Sequence, residues 1–98
     1  MAVIAFLDLR LKADAADTGL QVLTETLAAT RACPGCQGVT VLVDSADPTH
    51  VIAHETWESM EHDGAYRKWR TTPDGASRLG SVLAGAPTLS YFTVAEGV

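Results

Sequence analysis

His62, Tyr66 and Trp69 follow one another at intervals of four and three residues, the spacing that brings side chains to one face of an α-helix. An imidazole, a phenol and an indole on one face form a flat, partly polar wall. The imidazole suits general-base work, because its ordinary pKa of about 6.5 lets it bind and release a proton near neutrality. The phenol is able to hydrogen-bond a substrate oxygen, and the indole to stack on a planar ring. The same spacing also fits a structural helix, with Trp69 anchored in the core and His62 and Tyr66 on its rim. Trp57, at the end of an apolar run, reads more readily as structural than as catalytic. Glu55, if it faces inward, needs a cation, and Arg67 or Arg70 on the next helix can supply it.

Other chemistry-bearing patterns are weaker. Cys33-Pro34-Gly35-Cys36 has the spacing of a redox pair, but thiolate activation there depends on a helix N-terminus behind the cysteines. This pair follows a helix and precedes a strand, so the dipole has the wrong sign. A turn that holds two half-buried thiols is expected, with a reversible local disulfide as the alternative. Two cysteines fall short of the four ligands of a structural zinc site. His50 and His54 lie on one predicted strand, roughly 13 Å apart at about 3.3 Å per residue, too far to share a metal. The chain carries no HExxH, no paired CxxC, no EF-hand loop, no phosphate-binding glycine loop and no GxSxG elbow. No metal, heme, flavin or nucleotide cofactor is expected.

The elements that must position these residues can be read from periodicity. Leu7 to Lys12 alternates strictly, and Val3 to Phe6 is apolar throughout, which predicts a first strand buried on both sides at its start. Asp14 is a candidate N-cap for a helix running to Ala32, with Leu20, Leu23 and Leu27 as its stripe and Pro34-Gly35 as its stop. Val39, Val41 and Val43 mark a second strand ending at Asp44. Ser45 to Pro48 reads as a turn, and Val51 to Glu58 as a third strand pairing back as a hairpin. Ser59 is the N-cap of a second helix to about Arg70, with Glu61 and Asp63 near its positive end. Thr71 to Asp74 breaks it, a short third helix carries Leu79, Val82 and Leu83, and Thr88 to Ala95 is the last strand.

That order is βαββαβ, the ferredoxin-like arrangement of a four-stranded antiparallel sheet with both helices on one face. Two helices leave the other face bare. One parity exposes Ile4, Phe6, Leu42, Ile52, Phe92 and Val94; the other exposes Val41, Val51, Trp57 and Tyr91. Either set is too apolar for water, so a homodimer stacking two sheets face to face is expected.

The chain has 98 residues, enough for one domain over 1–98. Hydrophobic residues make up 47% and charged residues 19%, ordinary values for a globular chain. A formal net charge of -5 repels phosphate backbones, so nucleic acid is not an expected partner. No apolar run reaches the roughly 20 residues of a membrane span. The opening MAVIAFLDLRLK lacks the basic region and cleavage site of a secretory signal, and a cytoplasmic location is expected.

Residues Arg31 to Trp69 resemble the antibiotic biosynthesis monooxygenase (ABM) domains of the dimeric α/β-barrel superfamily. The signs are Pro34-Gly35-Cys36-x-Gly38 before a Val-rich strand, Asp47-Pro48 at the hairpin, and Glu55-Thr56-Trp57-Glu58-Ser59 leading into the helix of His62 and Tyr66. The order of elements extends the likeness over nearly the whole chain. The resemblance implies a ferredoxin-like homodimer, the dimeric α/β barrel. It also implies a cofactor-independent monooxygenase that uses dioxygen on a quinol, an anthrone or a similar aromatic polyketide. In such chemistry the deprotonated substrate is itself the electron donor, and the protein supplies an apolar pocket, a base and hydrogen bonds. His62 and Tyr66 are the catalytic candidates it implies, with Trp69, Trp57, His54 and Phe6 as substrate contacts. The heme-degrading branch of the superfamily fits poorly, because this chain has no Asn and no His after His62. A non-catalytic dimeric ligand-binding or scaffold domain is the other reading.

Overall fold

Alternation of side chains along an extended backbone decides which residues of this sheet are buried. The computed structural model describes residues 2–98. Its elements are β1 (Val3–Arg10), α1 (Ala16–Ala32), β2 (Cys36–Asp44), β3 (Asp47–Trp57), α2 (Met60–Arg70) and β4 (Thr88–Phe92). Two short 3-10 turns, Pro73–Gly75 and Leu79–Val82, lie between α2 and β4. The strands form one antiparallel sheet in the order β2-β3-β1-β4. This is the ferredoxin-like α+β fold that the element order predicts.

Val3, Ala5 and Leu9 of β1 and Val51, Ala53, Glu55 and Trp57 of β3 are buried beneath the helices. Leu23 and Leu27 of α1 meet Leu9 and Val51 in one cluster, and Trp57 and Tyr66 meet Val3 and Ala5 in a second. The even-numbered partners therefore form the outer face. There Phe6 stacks on His54 with ring centroids 5.0 Å apart, and Phe92 meets Phe6 edge-on at 5.2 Å. Leu42 and Phe92 on that face are 45% and 52% exposed. Of the two parities, the Ile4–Phe6–Ile52–Phe92 set is the bare one.

Several boundaries differ from expectation. Helix α1 starts at Ala16, and Ala15, not Asp14, is the N-cap residue. Lys12 to Ala15 closes a turn of its own, with Ala15 N–H donating to Lys12 O at 2.9 Å, which holds Asp14 off the helix axis. The Ser45–Ala46 turn is tighter than predicted, so Asp47 and Pro48 already belong to β3. The stretch around Leu79 is a single 3-10 turn, and Leu83 instead bridges to Leu11. Strand β4 stops at Phe92 because its partner there is Ile4, near the start of β1. Ser59 caps α2 as expected, its Oγ accepting from His62 N–H at 3.2 Å. No helix among the described residues is long and apolar enough to cross a membrane.

On the outer face, His50 holds Asp44 through Nδ1 at 2.8 Å and Asp8 through Nε2 at 3.0 Å. Hydrogen bonds to Asp44 and then Asp8 raise its pKa above the ordinary 6.5. A raised folded-state pKa stabilises fully below the unfolded value and loses that contribution as pH rises through the folded one. Thermal midpoints are therefore expected to fall between about pH 6 and about pH 9 by more in the wild type than in His50→Gln. Identical pH profiles for the two proteins would show that the ring contributes nothing as a cation.

Candidate active site

Helix α2 carries the site, and its first turn sets the imidazole. Ser59 Oγ accepts the His62 backbone N–H and also lies 2.7 Å from His62 Nδ1, so one hydroxyl both caps the helix and orients the ring. The far nitrogen, Nε2, lies 3.4 Å from Glu58 Oε2. Gly35, at φ 84°, lets the chain pass close beneath the ring; a Cβ there would sit 2.3 Å from His62 Cγ. Its carbonyl accepts Glu58 N–H at 2.8 Å, which ties the Cys33–Cys36 turn to the start of α2.

The imidazole opens on a pocket of about 310 Å³ lined by Cys33, Pro34, His62, Ala65, Tyr66 and Trp69. Three of these, His62, Tyr66 and Trp69, are the wall that helical spacing predicts, and Ala65 completes the stripe. Cys33 and Pro34 enter from the turn after α1, which nothing in the sequence connects to α2. Both cysteines are free, and burial pushes the Cys36 thiol up, the opposite of redox activation. The turn reading of that motif is the one seen.

Tyr66 and Trp69 exchange the places that spacing alone suggests. Tyr66 is buried, with its ring 5.0 Å from Trp57 and 6.3 Å from Trp69, while Trp69 remains half-buried. The Arg67 and Arg70 guanidiniums lie 4.9 and 5.1 Å from the phenol ring centre. The Tyr66 hydroxyl accepts from Arg70 Nε at 2.8 Å and pairs with Thr30 Oγ1 at 2.7 Å. Arg70 also donates to Thr30 Oγ1 and to Thr26 O, at 3.0 and 2.7 Å. The hydroxyl is thus engaged by α1, and Tyr66 presents ring rather than oxygen to the pocket.

The remaining candidates lie elsewhere. Trp57 is fully buried behind Tyr66, its Nε1 donating to Glu55 Oε1 at 3.1 Å, and it supports the pocket without lining it. Phe6 and His54 stand on the outer face, with the sheet between them and His62. Their even-numbered positions on β1 and β3 put them opposite the helices, so the structure does not gather them with the pocket.

Glu55 does face inward, and of the two suggested arginines Arg67 is the one that meets it, at 2.8 Å. The same Nη2 reaches Asp63 Oδ1 at 3.0 Å, and Tyr91 O–H donates to Asp63 Oδ2. Desolvation works against the Arg67 charge, but Glu55 and Asp63 outweigh it and hold the pKa above the usual guanidinium value. Burial, then the bond to Asp63, raises the Tyr91 phenol. The four-residue spacing of Asp63 and Arg67 is a legible signal for this network; Tyr91 arrives only through sheet pairing. Among the described residues, no group of three or more His, Cys, Asp or Glu side chains is placed to hold a metal ion.

A ferredoxin-like domain with an aromatic, imidazole-bearing pocket on its second crossover helix is the class that fold and site define. Residues 2–75 match the family model described as antibiotic biosynthesis monooxygenase, and the chain belongs to that family. The fold is similar to that of a variant of SnoaB, a cofactor-independent oxygenase from Streptomyces nogalater. The TM-score is 0.79 at 17% identity, covering 99% of this chain and 96% of that one. A protein from Nitrosomonas europaea, provisionally assigned to the antibiotic biosynthesis monooxygenases, also has a TM-score of 0.79, at 14% identity over 95% and 98% of the two chains. One from Deinococcus radiodurans with the same provisional assignment gives 0.74 at 22% identity over 98% and 95%. At these identities the likeness is one of fold. No curated protein matches the sequence.

Proposed function

We propose that this protein is a cofactor-independent monooxygenase acting on an anthrone, a quinol or a similar aromatic polyketide in the His62 pocket. The observation that carries the reading is a ligand-sized apolar pocket walled by Tyr66 and Trp69 and bearing one imidazole. Membership of the family supports it, as does the description of SnoaB as a cofactor-independent oxygenase. With Nδ1–H donated to Ser59 Oγ, Nε2 keeps its lone pair and takes the acidic proton of the substrate. Glu58 then neutralises the imidazolium from 3.4 Å. The substrate anion, held between aromatic walls, reduces dioxygen. For an anthrone, the ring CH2 becomes C=O with one oxygen atom from dioxygen, and the other leaves as water. Phe6, His54 and Trp57 take no direct part in this scheme. Oxygen uptake should be measured with a panel of anthrones and quinols, without added metal or flavin. Uptake matched by product formation is the expected result, and no uptake above the uncatalysed rate across the panel would favour a ligand-binding or scaffold role.

The bare sheet face supports a homodimer as the working form. Ile4, Phe6, Leu42, Ile52 and Phe92 lie on the sheet face that helices do not cover, interleaved with His54, Thr56 and the Asp8–His50–Asp44 cluster. Light scattering at micromolar concentration is expected to give twice the 10.3 kDa chain mass. Phe92→Lys, which places a charge in that surface, should shift the mass toward the monomer; a wild-type monomer at that concentration refutes the pairing.

A further inference from the structure

Helices α1 and α2 run in opposite senses, and two chambers lie in line along the groove between them. The turn after α1 meets the start of α2, where Gly35 passes beneath His62. Further back along α1, Thr26 O accepts from Arg70 Nη2 at the end of α2, at 2.7 Å. The first chamber is the His62 pocket, of about 310 Å³. The second, of about 250 Å³, lies between Glu25, Thr26 and Ala29 of α1 and Arg70, Ser77 and Arg78. Of the residues that line the two, Trp69 alone is common to both. Its half-buried indole is held by its neighbours, 6.3 Å from the Tyr66 ring centre and 5.0 Å from the Arg70 guanidinium.

The position of Trp69 bears on how long a ligand the groove takes. A ligand that must present a proton to His62 Nε2 is anchored at one end of the first chamber, so its length is measured from His62 toward the indole. That chamber stands at the lower bound of drug-sized sites, ~300 Å³, which is room for about three fused rings. A fourth ring in line meets the indole, itself a flat two-ring body. Without the indole the chambers join and the room nearly doubles. The outer chamber is not otherwise closed. The Arg78–Glu25 pair that flanks it, at 2.6 Å, is exposed on both partners, and exposed pairs are weak enough to yield to an entering ligand.

We propose that Trp69 sets the length of aromatic ligand that the His62 pocket accepts: compact three-ring systems enter, and linear four-ring systems are refused by the indole. The inference rests on the reading of the His62 pocket as the substrate site, and it narrows the substrate class to ligands of up to three fused rings. Trp69 acts here as a specificity-determining wall, and the test needs no turnover.

The probes are quinizarin, with three fused rings, and its linearly benzo-fused homologue 6,11-dihydroxynaphthacene-5,12-dione. Both are already oxidised, so titration reads binding alone. The wild-type protein is expected to bind quinizarin at least about tenfold more tightly, since forcing an extra ring into a filled site is costly. In Trp69→Ala, with its fold checked by thermal melting, that ratio should fall by at least about tenfold, with the four-ring probe gaining affinity. Intermolecular NMR contacts should appear at the Ala65 methyl for both probes, and at Ala29 only for the four-ring probe in the variant. If Trp69→Ala does not fold, Trp69→Phe, which trims the indole to one ring, should still lower the ratio by at least about threefold. Equal wild-type affinities, a ratio unmoved in the folded variant, or no quinizarin binding up to millimolar concentration would overturn the role of Trp69. So would four-ring contacts at Ala29 without Ala65. A protein that shows the expected ratios but takes up no oxygen would keep this wall and lose the oxygenase reading.

Discussion

His62→Ala is expected to lower oxygen-dependent turnover by at least about 10²-fold, the lower end of what a positioned general base contributes. The substitution keeps the backbone N–H that Ser59 Oγ accepts at 3.2 Å, so the helix cap survives and the loss is chemical rather than structural. Ser59→Ala separates the two roles of that hydroxyl. It should cost ~1 kcal/mol of stability through the lost cap and also lower turnover, because Nδ1 loses the partner at 2.7 Å that aims the ring. Tyr66→Phe should reduce turnover far less, since the phenol oxygen already serves Thr30 and Arg70. Its cost is stability, about 1–3 kcal/mol, because Arg70 Nε is left without its acceptor. Oxygen-electrode rates on one accepted anthrone or quinol decide the matter. Equal rates for wild type and His62→Ala would remove the imidazole from the chemistry and leave confinement as the pocket's contribution.

The second large effect is on stability. Arg67→Met is expected to destabilise the fold by ~3–5 kcal/mol, the cost of stripping the counter-charge from buried carboxylates. Glu55 and Asp63 are each 1% exposed at the side chain, and Arg67 bonds both. Trp57 and Tyr91 remain as hydrogen-bond partners but bring no positive charge. The double variant Glu55→Leu, Arg67→Met should recover part of the loss, because apolar groups can replace a buried ion pair at little or no cost. Asp63 keeps it from recovering all. Urea titration measures both. A single-variant loss below about 1 kcal/mol would mean that solvent reaches the pair and screens it as it does surface pairs.

Much of this architecture is local in origin. The alternation in Leu7 to Lys12, the valines of β2 and the Ser59 cap each dictate an element through neighbours a few residues away. The boundaries that moved, at Asp14 and Phe92, are those where a competing turn or the end of a partner strand prevails over a residue's own preference. Helical spacing likewise places His62, Tyr66 and Trp69 on one stripe, since three positions within two turns of helix share a face whatever surrounds them.

By itself, then, the sequence determined the order of the elements, the ferredoxin-like class and the stripe on α2, and it set a demand for a cation at Glu55 only for the case that Glu55 faces inward. Only the tertiary structure decided which parity of the sheet the helices cover, because both parities of β1 and β3 are apolar enough to be core. That choice sends Phe6 and His54 to one side and Trp57 to the other. It also decided that the Tyr66 hydroxyl turns to Thr30 on α1, and that Cys33 and Pro34 close the His62 pocket. These contacts join residues about thirty positions apart, and their geometry is set by how α1 and α2 pack together on the sheet, which no spacing along the chain encodes.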